Sequence, residues 1–192
     1  AAEIGIAMGI TGTDVTKDTA DMVLTDDNFG SIVGAVEEGR AVFENVRKVV
    51  KFLLATNTGS ALTIIISLVL FPVGTVIITP IQVLWVNLVT DGLLDITLAM
   101  EPKEEDVMDQ PPRSRQAPII DREILQNLVY VALFMVVGTL FLFARVPPQG
   151  LTYAQTVAFT TMAMFQVFNA LNTRSRSRSI LQLGLLSNPY LL

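Results

Sequence analysis

Long apolar stretches separated by short polar connections dominate the sequence. A helix needs about 20 predominantly apolar residues to cross a bilayer. Four stretches have this length, at residues 49–71, 77–100, 124–144 and 153–171. A fifth begins near Leu181 but meets Ser187, Asn188 and Pro189, so a span starting there would be truncated after about residue 189. The pattern therefore predicts a mainly α-helical, multi-pass transmembrane bundle.

The placement of basic residues distinguishes a membrane bundle from its alternative, the buried core helices of a large soluble protein. Lysines and arginines precede the first stretch, separate the second from the third and follow the fourth. Residues 72–78 carry no charge, and Arg145 stands alone after the third stretch. Cytoplasmic loops of membrane proteins carry the excess of basic residues. We therefore predict an even number of crossings, with lipid as a partner and both ends cytoplasmic.

The composition narrows the chemistry that the chain can perform. Hydrophobic residues make up 51% and charged residues 16% of the sequence, against about 25% charged residues in a typical soluble domain. Cysteine and histidine are absent. Their absence excludes disulfides, thiolate or imidazole zinc sites, and Ser-His or Cys-His catalysis. Any metal must be held by oxygen ligands, which favour hard cations.

The first 30 residues have a different pattern. Short apolar segments at residues 4–9 and 21–25 flank a polar segment at residues 12–20. This order predicts a strand, a short helix and a second strand of a parallel α/β sheet. Thirty residues cannot bury a sheet of their own. We therefore expect the edge of a domain whose greater part lies upstream.

A helical pattern starts at Ser31 and continues without proline to Pro72. Apolar residues such as Val42, Val46 and Val49 recur at three- and four-residue intervals. We predict one helix from near Ser31 to near Phe71, roughly 60 Å long. The alternative is two helices with a break near Gly39. We place the domain boundary so that residues 1–48 precede the membrane and residues 49–192 form the membrane domain.

One carboxylate lies in the middle of the second span. Asp91 follows Asn87 and Thr90 within an apolar run. A carboxylate in the bilayer core is costly, so it is a functional candidate by default. In an α-helix, residues at i, i+3 and i+4 share a face, which predicts that these three side chains face one way. Asp95, one turn further on, is expected to be a solvated entrance residue rather than a ligand.

Neighbouring spans offer further oxygen atoms. Asn57 and Ser60 lie in the first span, and Gln166 and Asn169 lie in the fourth. A single buried amide is explained equally well by an interhelical hydrogen bond. Grouped around one carboxylate, however, these oxygens would suit calcium, which takes six to eight oxygen ligands.

Two glycines adjoin these polar positions. Gly59 lies between Asn57 and Ser60, and Gly92 follows Asp91. Both would let their helices loosen, so that unwound carbonyls could join the coordination.

Several motifs resemble the P-type cation-transporting ATPases, calcium-pump branch. The matching segments are residues 2–9, 21–28, 36–40 and above all 84–92 (LWVNLVTDG). Residues 108–113 also resemble that branch's loop between its sixth and seventh helices. The resemblance implies that the four spans are the family's helices five to eight. It also implies that the N-terminal segment is the trailing edge of a phosphorylation domain with a haloacid-dehalogenase-like fold, followed by a stalk helix.

The resemblance further implies an ATP-driven pump that exports calcium from the cytoplasm through an aspartyl-phosphate intermediate, located in the cell membrane. Mg²⁺ and ATP would bind upstream, because this chain holds no DKTGT motif and no TGDGxND motif. We therefore expect no catalytic or cofactor-binding residue here. Alone, the chain should be inactive, with the missing N-terminal part of the pump as its partner.

The resemblance also assigns roles to individual residues. Asn87 and Asp91 match ligands of the site that the calcium branch shares. Asn57 and Thr90 match positions of a second site. Some pumps of this branch bind two calcium ions and are called two-site pumps here. Ser60 stands where a two-site pump has a glutamate.

Gln166 likewise stands where the two-site pump has a glutamate. The loss of two negative charges predicts one calcium ion per cycle.

Other interpretations stay open. A P-type pump for a monovalent ion, sodium or a proton, could also use Asp91. A non-catalytic membrane module could bind an ion or a partner subunit. Manganese accepts the same oxygen ligands as calcium. The basic run at residues 174–178 is interpreted as a cytoplasmic topology anchor rather than a nucleic-acid-binding tract.

Overall fold

The computed structural model describes residues 4–104, 106–114, 117–146, 150–175, 180–184 and 187–190. The chain divides into two compact units. The first unit contains Ala1–Phe43 and Lys103–Pro111, and the second contains Glu44–Pro102 and Pro112–Leu192.

A parallel strand pair opens the first unit. Strand β1 is Ile6–Met8, helix α1 is Asp14–Thr19 and strand β2 is Met22–Leu24. The strands pair in parallel, with Ile6 opposite Met22. The predicted order of strand, short helix and strand is therefore confirmed. The haloacid-dehalogenase-like fold of the larger domain stays a prediction.

Asp27 ties the loop after β1 to the loop after β2. Its carboxylate accepts hydrogen bonds of 2.8 Å from the amides of Ile10 and Thr11, and one of 2.7 Å from the Thr11 hydroxyl. The backbone of Asp27 is left-handed, with φ of 52°, a conformation in which Asn and Asp are enriched. The bond from the Ile10 amide, followed by the Thr11 hydroxyl, lowers the pKa of Asp27.

Helix α2 is a single helix of 41 residues, Gly30–Leu70. The Asn28 side chain accepts a hydrogen bond from the Gly30 amide at 2.9 Å, and the helix ends before Pro72, which disfavours helical backbone in the preceding residue. The prediction of one helix from near Ser31 to near Phe71 is confirmed. The alternative, a break near Gly39, is wrong.

Residues 103–110 contact the part of α2 that belongs to the first unit. Arg40 Nη1 donates to the carbonyls of Val107 and Gln110, at 3.1 and 2.8 Å. Lys103 Nζ lies 2.7 Å from Glu37 and 3.0 Å from Glu38, and hydrogen bonds to these carboxylates raise the pKa of Lys103. Such exposed ion pairs contribute little to stability, so the half-buried Arg40 contacts matter more here.

The second unit contains the remaining helices. Its next helical segment runs from Pro80 to Ala99 and consists of α3 (Pro80–Trp85), a π-helical turn (Val86–Asp91) and α4 (Gly92–Ala99). It is followed by α5 (Arg122–Arg145), α6 (Leu151–Thr173) and the four-residue α7 (Ile180–Leu183).

Side-chain caps fix where two of these helices begin. Thr79 and Gln82 form a reciprocal capping box at the start of α3, with Pro80 in the first turn. Asp121 Oδ1 accepts a hydrogen bond from the Ile124 amide at 3.0 Å and caps α5.

Three helices of the described residues are long and apolar enough to cross a membrane: Gly30–Leu70, Pro80–Ala99 and Arg122–Arg145. The fourth predicted span coincides with α6, a helix of 23 residues that does not reach the same apolarity. The predicted even number of crossings, and with it the cytoplasmic location of both ends, therefore stays a prediction. Of the fifth apolar stretch, residues 185–186 and 191–192 lie outside the described residues.

Two apolar clusters form the core of the second unit. Apolar cluster 1 contains these buried residues: Ile77, Ile78, Val136, Leu140, Phe143, Ala154, Ala158 and Met162. Ile64, Ile66, Phe71 and Val83 pack against it. Apolar cluster 2 contains Phe52, Leu98 and Ala170, with Val49, Leu53 and Leu94 packed around them. Helix α2 therefore runs from cluster 2 to cluster 1, whereas Pro80–Ala99 and α6 both run from cluster 1 to cluster 2.

Candidate functional site

Polar side chains occupy the region between the two apolar clusters. In Pro80–Ala99, Asp91 lies between Val83 of cluster 1 and Leu94 of cluster 2. The corresponding stretches of α2 and α6 also contain buried polar residues. Because all three segments connect the same two clusters, we treat these side chains as one polar layer. Its members are Thr56, Ser60, Thr63, Asp91, Gln166 and Asn169.

The members of the polar layer are deeply buried. Asp91 is 2% exposed and Gln166 is 0% exposed, although both carry strongly hydrated groups. Lys, Glu, Arg and Asp are almost never fully buried unless they are paired. The sequence-based expectation that Asp91 lies away from solvent in a helical bundle therefore agrees with the structure.

Most of these buried polar atoms have no hydrogen-bond partner within the part of the chain that the structure describes. This holds for both oxygens of Asp91, Ser60 Oγ, and the amide oxygen and nitrogen of Gln166 and of Asn169. Thr56 and Thr63 differ, because their hydroxyls donate to the carbonyls of Phe52 and Gly59, at 3.0 and 2.7 Å. Each unpaired buried polar group costs about 1–3 kcal/mol, and a charged group costs more. A cation bound here would be coordinated by these unpaired oxygen atoms, which would then no longer lack a partner.

The turn that presents Asp91 is π-helical rather than α-helical. A π-helix bonds residue i to i+5, and single π turns inside α-helices are frequent at functional sites. Asp91 is buried, Thr90 is half-buried and Asn87 is exposed. The three side chains therefore differ in burial within the described chain, and the prediction that they face one way stays a prediction.

The surroundings of Gly59 differ from the sequence-based expectation. Helix α2 is α-helical throughout this region, so its backbone is not unwound there. A Cβ atom at Gly59 would lie 2.7 Å from Met135 Sδ and 3.3 Å from Ala132 Cα of α5. Gly59 therefore allows α2 to approach α5 closely. Its neighbour Asn57 is exposed, whereas Ser60 is buried.

The structure thus groups some predicted site residues and separates others. Ser60, Asp91 and Gln166 belong to the polar layer, and Thr90 lies at its edge. Asn57 and Asn87 lie on the surface of the described chain.

Asp95 is more enclosed than the sequence indicated. Its side chain is half-buried, and Oδ1 is buried without a hydrogen-bond partner among the described residues. The sequence placed Asp95 one turn after Asp91, but burial of one oxygen depends on packing against other helices. The expectation of a solvated residue is therefore only partly met.

The atoms of the polar layer that could act as metal ligands are oxygen atoms. No group of three histidine, cysteine or acidic side chains lies together in the described ranges. A single buried carboxylate with amide and hydroxyl oxygens suits a hard cation such as calcium. The sequence contains no DKTGT motif, so its residues do not fit a phosphorylation site for Mg²⁺ and ATP, and no step of ATP chemistry is assigned to it.

The helices and the buried oxygen-lined layer are those expected of an integral membrane protein that handles a cation. Residues 75–192 match the family model described as the C-terminus of cation-transporting ATPases. The chain belongs to this family, which confirms the resemblance based on LWVNLVTDG.

Individual relatives agree with the family match. The chain is 39% identical to calcium-transporting ATPase 1 of Bacillus cereus over 99% of its own length and 23% of the relative's. It is 40% identical to the calcium-transporting ATPase of Bacillus subtilis, covering 100% of this chain and 22% of that protein. It is 38% identical to human calcium-transporting ATPase type 2C member 1, over 98% of this chain and 20% of that protein. The chain thus spans about a fifth of the length of these relatives.

Proposed function

We propose that this chain is the C-terminal part of an ATP-driven pump that exports calcium from the cytoplasm and works through an aspartyl-phosphate cycle. The observation that carries the proposal is the buried carboxylate of Asp91, whose two oxygens lack hydrogen-bond partners among the described residues. The names of the relatives, which are calcium-transporting ATPases, support calcium as the cargo.

Asp91 supplies the negative charge of the proposed half-site. Ser60 and Gln166 supply neutral oxygens from α2 and α6, and both are buried in the polar layer. Thr90 contributes at the edge of the layer. This division of roles explains why polar atoms from three segments stay unpaired between two apolar clusters.

Asn57 and Asn87 would act from the exposed side. Both side chains lie on the surface of the described chain. The relatives are several times longer than this chain, so the rest of the pump can cover that surface and bring its own ligands. In this arrangement the two asparagines complete the site only in the full-length protein.

A single calcium ion per cycle fits the charge of the polar layer. Its only carboxylate among the described residues is Asp91, since Ser60, Gln166 and Asn169 are neutral. A second divalent ion within the polar layer would meet the repulsion of the first, and the layer holds no further carboxylate to offset it. Asp95 lies one turn outside the layer. The same single charge favours one alternative, a pump for a monovalent ion such as sodium or a proton.

The membrane arrangement belongs to the same proposal. Residues 1–48 would end the cytoplasmic phosphorylation domain and form its stalk helix, and residues 49–192 would form the membrane domain in the cell membrane. The parallel β1–β2 pair supports an α/β domain edge. The basic residues before α2's apolar half and after α6 support cytoplasmic ends.

The proposal is tested by ion-dependent phosphorylation and ATP-dependent ⁴⁵Ca uptake with the full-length pump. We expect Asp91→Asn to abolish calcium dependence, because the site loses its charge. Asp18→Asn, at an exposed carboxylate of α1, is the matched control and should leave both readouts unchanged. Calcium-dependent transport that survives in Asp91→Asn would contradict the proposal. Activation by sodium or acid pH, without calcium, would favour the monovalent alternative.

A further inference from the structure

The carboxyl end of α4 is held by side chains from other elements. The last carbonyls of a helix have no partner within the helix and need one elsewhere. Asn188 Nδ2 donates to the Thr97 carbonyl at 2.9 Å. Asn45 Nδ2, from α2, donates to the carbonyls of Ala99 and Glu101 at 3.2 and 2.7 Å. The segment that carries Asp91 is therefore attached at its end to two other parts of the second unit.

A buried ion pair reinforces this attachment. Arg174, at the end of α6, is 0% exposed, and its Nε and Nη2 atoms donate to Glu101 Oε1 at 3.0 and 2.8 Å. Asn188 Nδ2 lies 2.6 Å from the other carboxylate oxygen of Glu101. Arg174 also donates from Nη1 to the Gly184 carbonyl at 3.2 Å and from Nη2 to the Ser187 hydroxyl at 2.5 Å. Arg174 is thus buried and paired. Its interpretation as a topology anchor stays a prediction, and Arg176 and Arg178 lie outside the described residues.

A buried ion pair is weak evidence for added stability, because desolvation of both charges offsets their attraction. The best-attested use of such polar groups is to fix the register of packed elements. The elements joined here are α2, α4 and α6, which carry Ser60, Asp91 and Gln166 within about two to four helical turns of the attachment. Apolar cluster 2 packs the same three elements together between the attachment and the polar layer.

We propose that Asn45, Glu101, Arg174 and Asn188 form a clamp that positions Asp91 against Ser60 and Gln166. The clamp residues do not touch the cation; they set the register of the helices that do. This inference rests on the proposed function and adds positioning residues to the site. Changes in residues that influence a site without touching its ligand alter binding by about 2- to 30-fold.

The test is Arg174→Lys in the full-length pump. Lysine keeps the charge but cannot reproduce the forked donation to Glu101. We expect the calcium concentration for half-maximal ATP-dependent uptake to rise about tenfold. The maximal uptake rate per pump molecule should stay unchanged. A purely structural role would instead lower the amount of folded pump without shifting the calcium dependence.

Arg47→Lys is the matched control. Arg47 Nη2 contacts Asp121 Oδ2 at 2.5 Å, an ion pair of the same unit that joins α2 to the cap of α5 and leaves α4 untouched. We expect no shift in calcium dependence. An unchanged value in Arg174→Lys, or an equal shift in both variants, would overturn the clamp.

A second variant keeps the test decisive if Arg174→Lys fails to fold. Asn188→Ala removes the bonds to Thr97 and Glu101 but leaves the ion pair in place, and we expect a shift in the same direction. If neither variant accumulates as folded pump, the role is structural and the proposal is overturned.

Failure of the proposed function is recognised separately, because Asp91→Asn would then retain calcium dependence. Loss of calcium dependence in Asp91→Asn, with both clamp variants unshifted, would overturn the clamp alone.

Discussion

The close approach of α2 to α5 at Gly59 predicts a measurable cost for adding a single methyl group. In Gly59→Ala the new Cβ would lie 2.7 Å from Met135 Sδ, 3.2 Å from Met135 Cβ and 3.3 Å from Ala132 Cα. The thioether can move, but the Ala132 Cα belongs to the backbone of α5. The two helices must therefore separate by a few tenths of an ångström. Overpacking of this kind costs about 1–3 kcal/mol.

The helix propensity of alanine works in the opposite direction. Replacing glycine by alanine inside a helix gains up to about 1 kcal/mol. Gly34→Ala in the same helix is the matched control, because a Cβ there meets no atom of the described residues within 4 Å. Both variants receive the same propensity gain. The difference between them isolates the packing cost, about 1–3 kcal/mol in favour of Gly34→Ala.

Thermal unfolding of the purified chain in detergent measures this difference. For proteins of this size, 1 kcal/mol shifts Tm by about 2–4 °C, so Gly59→Ala should melt about 2–12 °C below Gly34→Ala. Equal melting temperatures would refute the contact with α5. Because Ser60 follows Gly59, we also expect weaker calcium dependence in the full-length Gly59→Ala pump.

Two further predictions concern local structure. Asp27→Asn should keep the left-handed backbone but remove the charge. Since the folded-state pKa of Asp27 is lowered, its stabilising contribution is present above the ordinary value of 3.8 and is lost as pH falls through the folded-state pKa. Protection of the Ile10 and Thr11 amides, measured relative to the intrinsic exchange rate at each pH, should therefore fall in acid in the wild type but change little with pH in the variant. Thr79→Ala removes the capping box of α3, so protection of the Gln82 amide should fall by about 0.5–2 kcal/mol, and unaltered protection would contradict the cap.

Local patterns in the sequence were sufficient to predict much of the fold. The continuous helix Gly30–Leu70 follows from a proline-free run with a helical apolar period. The β1–α1–β2 order follows from two short apolar segments around a polar one. In both cases the information lies in neighbouring residues, which is where helix and strand preferences act.

The π-helical turn could not be predicted in the same way. Its residues, Val86–Asp91, have the composition of an ordinary helix, and the change of one residue in hydrogen-bond spacing leaves no trace in the sequence pattern. The exposure of Asn87 depends instead on which helices pack beside it, and the pattern of one segment does not contain that information.

Long-range pairing limited the prediction for Arg174. In the sequence it begins a basic run after an apolar stretch, a pattern typical of a topology anchor. Its partner Glu101 is 73 residues away, and only the packing of α4 beside α6 brings the two together. Neither side chain alone indicates a buried pair.

In the proposed function, Asp91 is the residue that holds the transported cation. Equilibrium binding of ⁴⁵Ca to the purified full-length pump tests this directly, without requiring turnover. We predict one calcium ion per wild-type pump molecule and no saturable binding in Asp91→Asn, whereas the Asp18→Asn control binds as the wild type does. Wild-type affinity and stoichiometry in Asp91→Asn would contradict the account.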